Sequence, residues 1–505
     1  MKKFLVIVAA IAVVAAISVG LASLLRKDMP EAQGPTGEAA PAGLEKFYSQ
    51  KVEWERCGQH TCAFIDVPVD YAKPEGETFK VKMQRVAANE KTDQVLFVNP
   101  GGPGGSGTQF ARMVGSSVSE EMRDAYDVVG LDPRGVGGST PLKCLTDKQF
   151  DASISLDPTP DTAEEIAENK AATIKMGEAC LKNSGALAKN VDTQSAARDQ
   201  DIARALLGQE KLHWYGASYG TQLGATYADL FPEKVGRMVL DGAVDTALDN
   251  VGMSKGQAEG FHRALVAYLE SCIAEGDCPA GDTVDEGIAS ISGLLNGLDQ
   301  KPMDVKGGRS LTESHGFFGV AVALYSKDSW PILTMALEKV FAGDPSMLMY
   351  LADAYFERQS DGSFANNSGQ VISAISCLDS PGGLSAQEVQ EIMPEFTKVS
   401  PVFGPFLAWG TSGCTHWPLE SDTPQQPTTA KGAPEIVVVG TTRDSATPFE
   451  WAEALAEHLE SGVLLTREGD GHTAYLMGNQ CISDTIDAFY LNGTVPKNGT
   501  VCAEE

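Results

Sequence analysis

Apolar and polar positions alternate along residues 64–86, on either side of Lys73-Pro74-Glu75-Gly76, which predicts a β-hairpin. Short apolar runs follow at 94–98, 127–131, 211–215 and 237–240, and each predicts a buried strand. Between them, residues 196–207 and 221–230 carry helical spacing. Strand and helix take turns, so the pattern predicts a mostly parallel sheet covered by helices on both faces. From about 246 to 434 that rhythm stops, and only helical stretches and loops are recognisable. It resumes with a strand at 435–439 and a helix at 448–459, with Pro448 in its first turn. A last strand at 463–466 and a final helix at 475–491 follow. The predicted organisation is a sheet domain in two parts, 44–245 and 435–505, interrupted by a mainly helical cap insertion at 246–434.

The segment ahead of the sheet changes the expected compartment. Lys2 and Lys3 precede an unbroken apolar run over residues 4–25, and Arg26 and Lys27 follow it. Residues 1–27 therefore predict a secretory signal peptide or an uncleaved membrane anchor. Either puts the folded part outside the cytoplasm, and membrane attachment is expected only through 4–25. No cysteine follows the run, which disfavours a bacterial lipid anchor. Residues 28–43, rich in Pro, Gly, Ala and Glu, predict a linker.

Composition agrees with an exported globular chain. With 43% apolar and 21% charged residues it can bury a core. A formal net charge of -29 argues against nucleic acid as a partner. The cysteine count, 10, is even, which in an exported chain suggests disulfides. Pairing in sequence order would close five loops, but it is one of roughly 945 pairings. The C-x-x-C and H-x-H spacings of a zinc site are missing, so no metal is expected.

The candidate chemistry centres on Gly216-Ala217-Ser218-Tyr219-Gly220, a G-x-S-x-G sequence between a predicted strand and a predicted helix. That setting is what a nucleophile elbow needs: a tight turn that lifts the Ser218 hydroxyl clear of the chain. A serine nucleophile needs a base, and the base needs an acid to orient it. In the α/β-hydrolase arrangement these follow the serine in the order acid, then histidine. Of the 7 histidines, His472 alone lies in a glycine-rich loop after the final predicted strand. Asp444, after the preceding strand, is the candidate acid. Asp241 and Asp245 are its rivals, because some α/β-hydrolases take the acid from the strand before the cap. Asp470, only two residues from His472, has awkward geometry.

A glycine-rich run, Gly102-Pro103-Gly104-Gly105-Ser106-Gly107, follows the strand at 94–98. With Asp132 downstream it imitates a dinucleotide fingerprint. Pro103, however, removes a donor that a pyrophosphate would use. With Ser218 and His472 in the chain, an oxyanion loop is the better reading, and no cofactor is expected. Its predicted donors are the backbone N–H groups of Gly102 and Tyr219.

Together with Asn99-Pro100-Gly101, Asp132-Pro133-Arg134-Gly135-Val136-Gly137, Val239-Leu240-Asp241-Gly242, and the Asp192-Thr193 and Asp199 positions, these motifs resemble the proline iminopeptidase-like serine peptidases. More narrowly they are similar to the secreted tripeptidyl aminopeptidases of actinobacteria. The resemblance covers most of the chain from about residue 50 and is weakest in the cap. It implies an α/β-hydrolase fold and a capped cleft. It also implies a peptide substrate whose free N-terminal amine is held by cap carboxylates, and release of a short peptide through an acyl-enzyme. Asp379, in Ser376-Cys377-Leu378-Asp379, is a candidate for amine binding. An esterase of acylated envelope compounds uses the same triad and is the alternative. A third reading is a non-catalytic binding protein that has kept the fold.

Overall fold

The computed structural model describes residues 34–421 and 426–504. The expected signal or anchor at 1–27, and residues 28–33 of the expected linker, lie outside the described residues. Among the described residues no helix is long and apolar enough to cross a membrane.

The sheet begins with β1 (Glu55–Cys57), β2 (His60–Pro68) and β3 (Thr78–Val86). Next come β4 (Val95–Asn99), β5 (Asp127–Leu131), β6 (Leu212–Ala217) and β7 (Val235–Asp241). A small cap hairpin, β8 (Met303–Val305) and β9 (Arg309–Leu311), precedes β10 (Ile436–Arg443), β11 (Gly462–Asp470) and β12 (Thr500–Cys502). Ten strands form one sheet in the order β1-β2-β3-β5-β4-β6-β7-β10-β11-β12. The β2–β3 hairpin joins antiparallel to β5, and every pairing from β5 to β12 is parallel. Successive side chains of a strand face opposite layers. Val95 and Phe97 accordingly pack with the helices Thr193–Leu206 and Tyr219–Leu230, while Leu96 and Val98 pack with Gly107–Ser117 and Gln480–Asn492. Both faces are covered, so the central strands read as continuous apolar runs.

Three C-terminal details differ from the sequence expectation. Strand β11 runs on to Asp470, beyond 466, with a register shift against β10 between Thr441 and Arg443. The final helix starts at Gln480, not at 475. Thr473 and Leu476 have φ of 70° and 67°, which no helix accepts. The N–H groups of Ala474 and Tyr475 are satisfied by the Asp241 carboxylate instead, both at 2.9 Å. A last strand after that helix, β12, has no counterpart in the sequence expectation. It is three residues long and is tied to the helix by Cys481–Cys502.

The cysteines pair in sequence order: Cys57–Cys62, Cys144–Cys180, Cys272–Cys278, Cys377–Cys414 and Cys481–Cys502. Between β7 and β10 the chain is mainly helical and builds its own apolar core around Leu265, Leu269, Phe317, Leu333 and Phe403. A second segment, with the helices Asp147–Ser153 and Ala163–Ser184, joins it above the sheet. Arg358 clamps Asp151 through two bonds of 2.6 and 3.0 Å, holding the two segments together. Residues 34–43 are not a free tether: Glu38 meets Arg204 at 2.7 Å and Lys234 at 3.0 Å.

Arg134 is fully buried beneath this assembly and grips Asp199 in a fork of 2.8 and 2.7 Å. Its remaining N–H groups reach the carbonyls of Pro68, Val69 and Asn190. Removing one member of a buried pair strands the other charge in low dielectric. Asp199→Ala is therefore expected to lower the unfolding free energy by about 3–5 kcal/mol. Urea melts should show this as a lower midpoint at unchanged slope.

Candidate active site

Ser218 stands where β6 turns into the helix Tyr219–Leu230, with φ 57° and ψ −129°. A non-glycine residue with positive φ is strained, and this one is held from both sides. Its N–H donates to the Asp241 carbonyl at 2.8 Å, and its own carbonyl accepts the N–H of Thr221 at 2.8 Å. The turn closes only because its flanks carry no side chain. A Cβ on Gly216 would stand 2.1 Å from the Gly220 carbonyl oxygen.

His472 follows β11 and is almost buried. Its Nδ1 lies 2.9 and 3.0 Å from the two oxygens of Asp444, which follows β10. Asp444 is fully buried and also accepts the N–H groups of Ala446, Thr447 and Thr473. Those three donors hold the carboxylate in one orientation. Burial alone would depress the His472 pKa. The Asp444 charge and hydrogen bond, helped by Asp241, outweigh it and hold the imidazole above its ordinary value.

The rival acids are engaged elsewhere. The Asp241 carboxylate accepts the N–H groups of Ala474 and Tyr475 and the Tyr215 hydroxyl, and burial raises its pKa to about 6. Asp245 lies 3.4 Å from His458, and Asp470 is paired with Arg443 at 2.5 and 2.8 Å.

The glycine-rich loop packs on the elbow. A Cβ on Gly101 would stand 2.5 Å from the Ala217 carbonyl oxygen and 2.7 Å from the Tyr219 nitrogen. Gly102 comes next, so both expected oxyanion donors belong to touching segments. Asp132 does not await a ribose. It accepts the Ser106 hydroxyl at 2.6 Å and the N–H groups of Thr108 and Gly138, pinning the loop to the strand behind it.

Ser218 and His472 open into one cavity of about 710 Å³. Phe150, Leu156, Met176, Phe318 and Ile372 give it apolar walls, and Asp157 and Glu357 add carboxylates. Behind Asp157 is Glu313. Asp157, Asp299 and Glu313 hold carboxylate oxygens within 4.8 Å of one another, close enough to grip a cation. Burial and mutual repulsion raise Glu313 to about 7 and lift Asp157 as well. Asp379 is not among the cavity-lining residues: it is buried against Thr193.

Sequence reasoning missed three contributors. Thr447 Oγ1 lies 3.2 Å from His472 Nδ1, and the Tyr325 carbonyl of the cap accepts the His472 backbone N–H at 2.8 Å. The third is the 147–176 wall, assigned from sequence to the sheet domain. A carbonyl contact leaves no sequence signal. The wall could have been suspected from the long gap between the second and third central strands.

The arrangement is that of an α/β-hydrolase-fold enzyme of the serine-hydrolase class. Residues 94–282 match the family described as alpha/beta hydrolase fold, and residues 400–502 the family described as TAP-like protein. The chain is 33% identical over 481 residues to serine protease Hip1 of Mycobacterium tuberculosis, covering 91% of this chain and 92% of that one. It is 32% identical over 470 residues to the tripeptidyl aminopeptidase of Streptomyces lividans, covering 90% and 86%. It is 34% identical over 454 residues to carboxylesterase B of M. tuberculosis, covering 88% and 86%. The chain belongs to the α/β-hydrolase family that contains these proteins.

The His472 environment predicts a titration. By proton NMR, with His472→Gln to assign the signal, its midpoint is expected above 6.5. In Asp444→Asn the burial penalty loses its main opponent, so the midpoint should fall.

Proposed function

We propose that this protein is an exported serine aminopeptidase that releases di- or tripeptides from peptides with a free N-terminus. Ser218 is the nucleophile, His472 the base and Asp444 the orienting acid. His472 Nε2 takes the Ser218 proton as Oγ attacks the peptide carbonyl. The N–H groups of Gly102 and Tyr219 receive the developing oxyanion. The C–N bond then breaks, and the leaving amine takes the proton from His472. Water, deprotonated by the same imidazole, hydrolyses the acyl-enzyme and frees the short peptide.

The observation that carries this reading is the shared cavity. Ser218, His472 and Asp157 line the same cavity, and Glu313 lies close to Asp157. Among the described residues, these two acids with raised pKa values have no cationic partner, and a substrate ammonium supplies one. The named peptidase relatives agree with it. Residues 1–27 serve as the export segment, and 246–434, joined by 147–184, as the cap. The disulfides fit an oxidising compartment outside the cytoplasm.

An esterase is the second reading, favoured by the apolar cavity walls and by the carboxylesterase relative. Hydrolysis of a tripeptide anilide against a short-chain acyl ester separates the two. We expect the anilide to be preferred and N-acetylation to abolish its cleavage; cleavage that survives acetylation rules out amine recognition. Asp157→Asn should raise KM for the free-amine peptide about tenfold or more. A fluorophosphonate probe should label the wild type and not Ser218→Ala. An unlabelled wild type would leave only the non-catalytic reading. Because Ser218 needs a neutral imidazole, kcat/KM should fall as pH drops through the raised His472 pKa.

A further inference from the structure

Asp379 ends the cap helix Ser368–Asp379. The other end of that helix faces the cavity through Gly369, Ile372 and Ser373. Its first residue abuts the glycine-rich loop: a Cβ on Gly104 would stand 3.1 Å from the Ser368 carbonyl oxygen. Asp379 itself turns both oxygens to Thr193. Oδ1 accepts the Thr193 backbone N–H at 2.9 Å, and Oδ2 accepts its hydroxyl at 2.5 Å. Thr193 Oγ1 also meets the Tyr219 hydroxyl. With its own hydrogen given to Asp379, Thr193 accepts from Tyr219. The chain therefore runs Tyr219 to Thr193 to Asp379, and all three residues are buried.

Tyr219 is the residue after Ser218, and its backbone N–H stands against Gly101. Its hydroxyl bond to Thr193 anchors the side chain of the residue that carries this N–H and so restrains the adjoining Cα. A buried carboxylate is costly, and burial lifts Asp379 to about 7. Its Oδ1 also takes the first N–H of the helix Thr193–Leu206, which has no partner within that helix. Both oxygens are already taken, so the residue is not free to hold a substrate amine.

We infer that Asp379 is a positioning residue for the oxyanion hole, acting through Thr193 and Tyr219 to fix the backbone N–H beside Ser218 and to make that geometry depend on the seating of the cap. The inference rests on Ser218 as nucleophile and on the Tyr219 N–H as oxyanion donor. It does not depend on the peptide specificity.

The test uses the full chain, with p-nitrophenyl acetate hydrolysis and the rate of fluorophosphonate labelling as readouts. Asp379→Asn and Thr193→Val are expected to lower kcat about 10- to 100-fold at little-changed KM. Thr193→Ser, which keeps the hydroxyl, should restore it. Asp379→Asn combined with Tyr219→Phe should be no slower than the slower single variant, because both break one chain. A folded Asp379→Asn protein with kcat within about twofold of wild type overturns the inference. So does a loss carried by KM alone, or full additivity in the double variant. If Asp379→Asn does not fold, the Thr193 pair decides: equal kcat in Val and Ser variants sinks the idea. Labelled wild type with unaffected variants defeats this inference only. Unlabelled wild type defeats the Ser218 assignment and this inference with it.

Discussion

One residue at the end of β7 holds the two halves of the site in register. The Asp241 carbonyl accepts the Ser218 N–H, and its carboxylate accepts the N–H groups of Ala474 and Tyr475, just past His472. The elbow that presents the serine and the loop that presents the histidine are thus tied to one buried side chain and its own backbone. Ser218 can occupy its strained conformation because the surroundings over-determine it. The carboxylate is desolvated, and two backbone donors and the Tyr215 hydroxyl offset part of that cost. The adjacent sheet supplies rigidity, since Gly242 donates back to Val439 of β10. Asp444 then has only to fix the tilt of the imidazole.

The cap does more than cover this arrangement. Tyr325, from the cap, supplies the carbonyl that takes the His472 backbone N–H, and its ring meets the imidazole edge-on with centroids 5.4 Å apart. The helix Ser368–Asp379 touches the glycine-rich loop at one end and Thr193 at the other. Cys377–Cys414 and the Arg358–Asp151 fork restrain its surroundings. His472 and the glycine-rich loop thus each have contacts both in the sheet domain and in the cap. A small change in cap position is felt at both.

The parts legible in the sequence are those set by local pattern. Buried strands show as apolar runs, and the elbow shows as glycines spaced where a Cβ would collide. His472 stands out because only one histidine follows the right strand. The disulfide pairing is accessible only as the simplest choice among many. What stays hidden depends on distant partners. The last helix starts as late as Gln480 because Asp241, far back in the chain, captures two N–H groups that would otherwise begin it. Strand β12 is too short to carry a pattern. The cap segment at 147–184 falls within the stretch the sequence assigns to the sheet domain, and only the folded chain brings Phe150 and Asp157 to the same cavity as Ser218.

Asp379 and Asp157 show why residue type alone does not assign a role. Asp379 is buried with both oxygens occupied by Thr193, so its negative charge is used internally. Asp157 lies on the cavity wall beside Glu313, and the pair repel each other in a partly desolvated place. An ammonium entering there removes the repulsion and gains charge-assisted hydrogen bonds at once. A neutral ester or an acetylated peptide gains neither. Under the proposed function, discrimination between substrates comes from two acids that have neutral donors but, among the described residues, no cationic partner, and not from an ion pair already made in the free enzyme. Asp379 differs in place: it is buried against Thr193 and is not among the residues lining the cavity that an amine would enter.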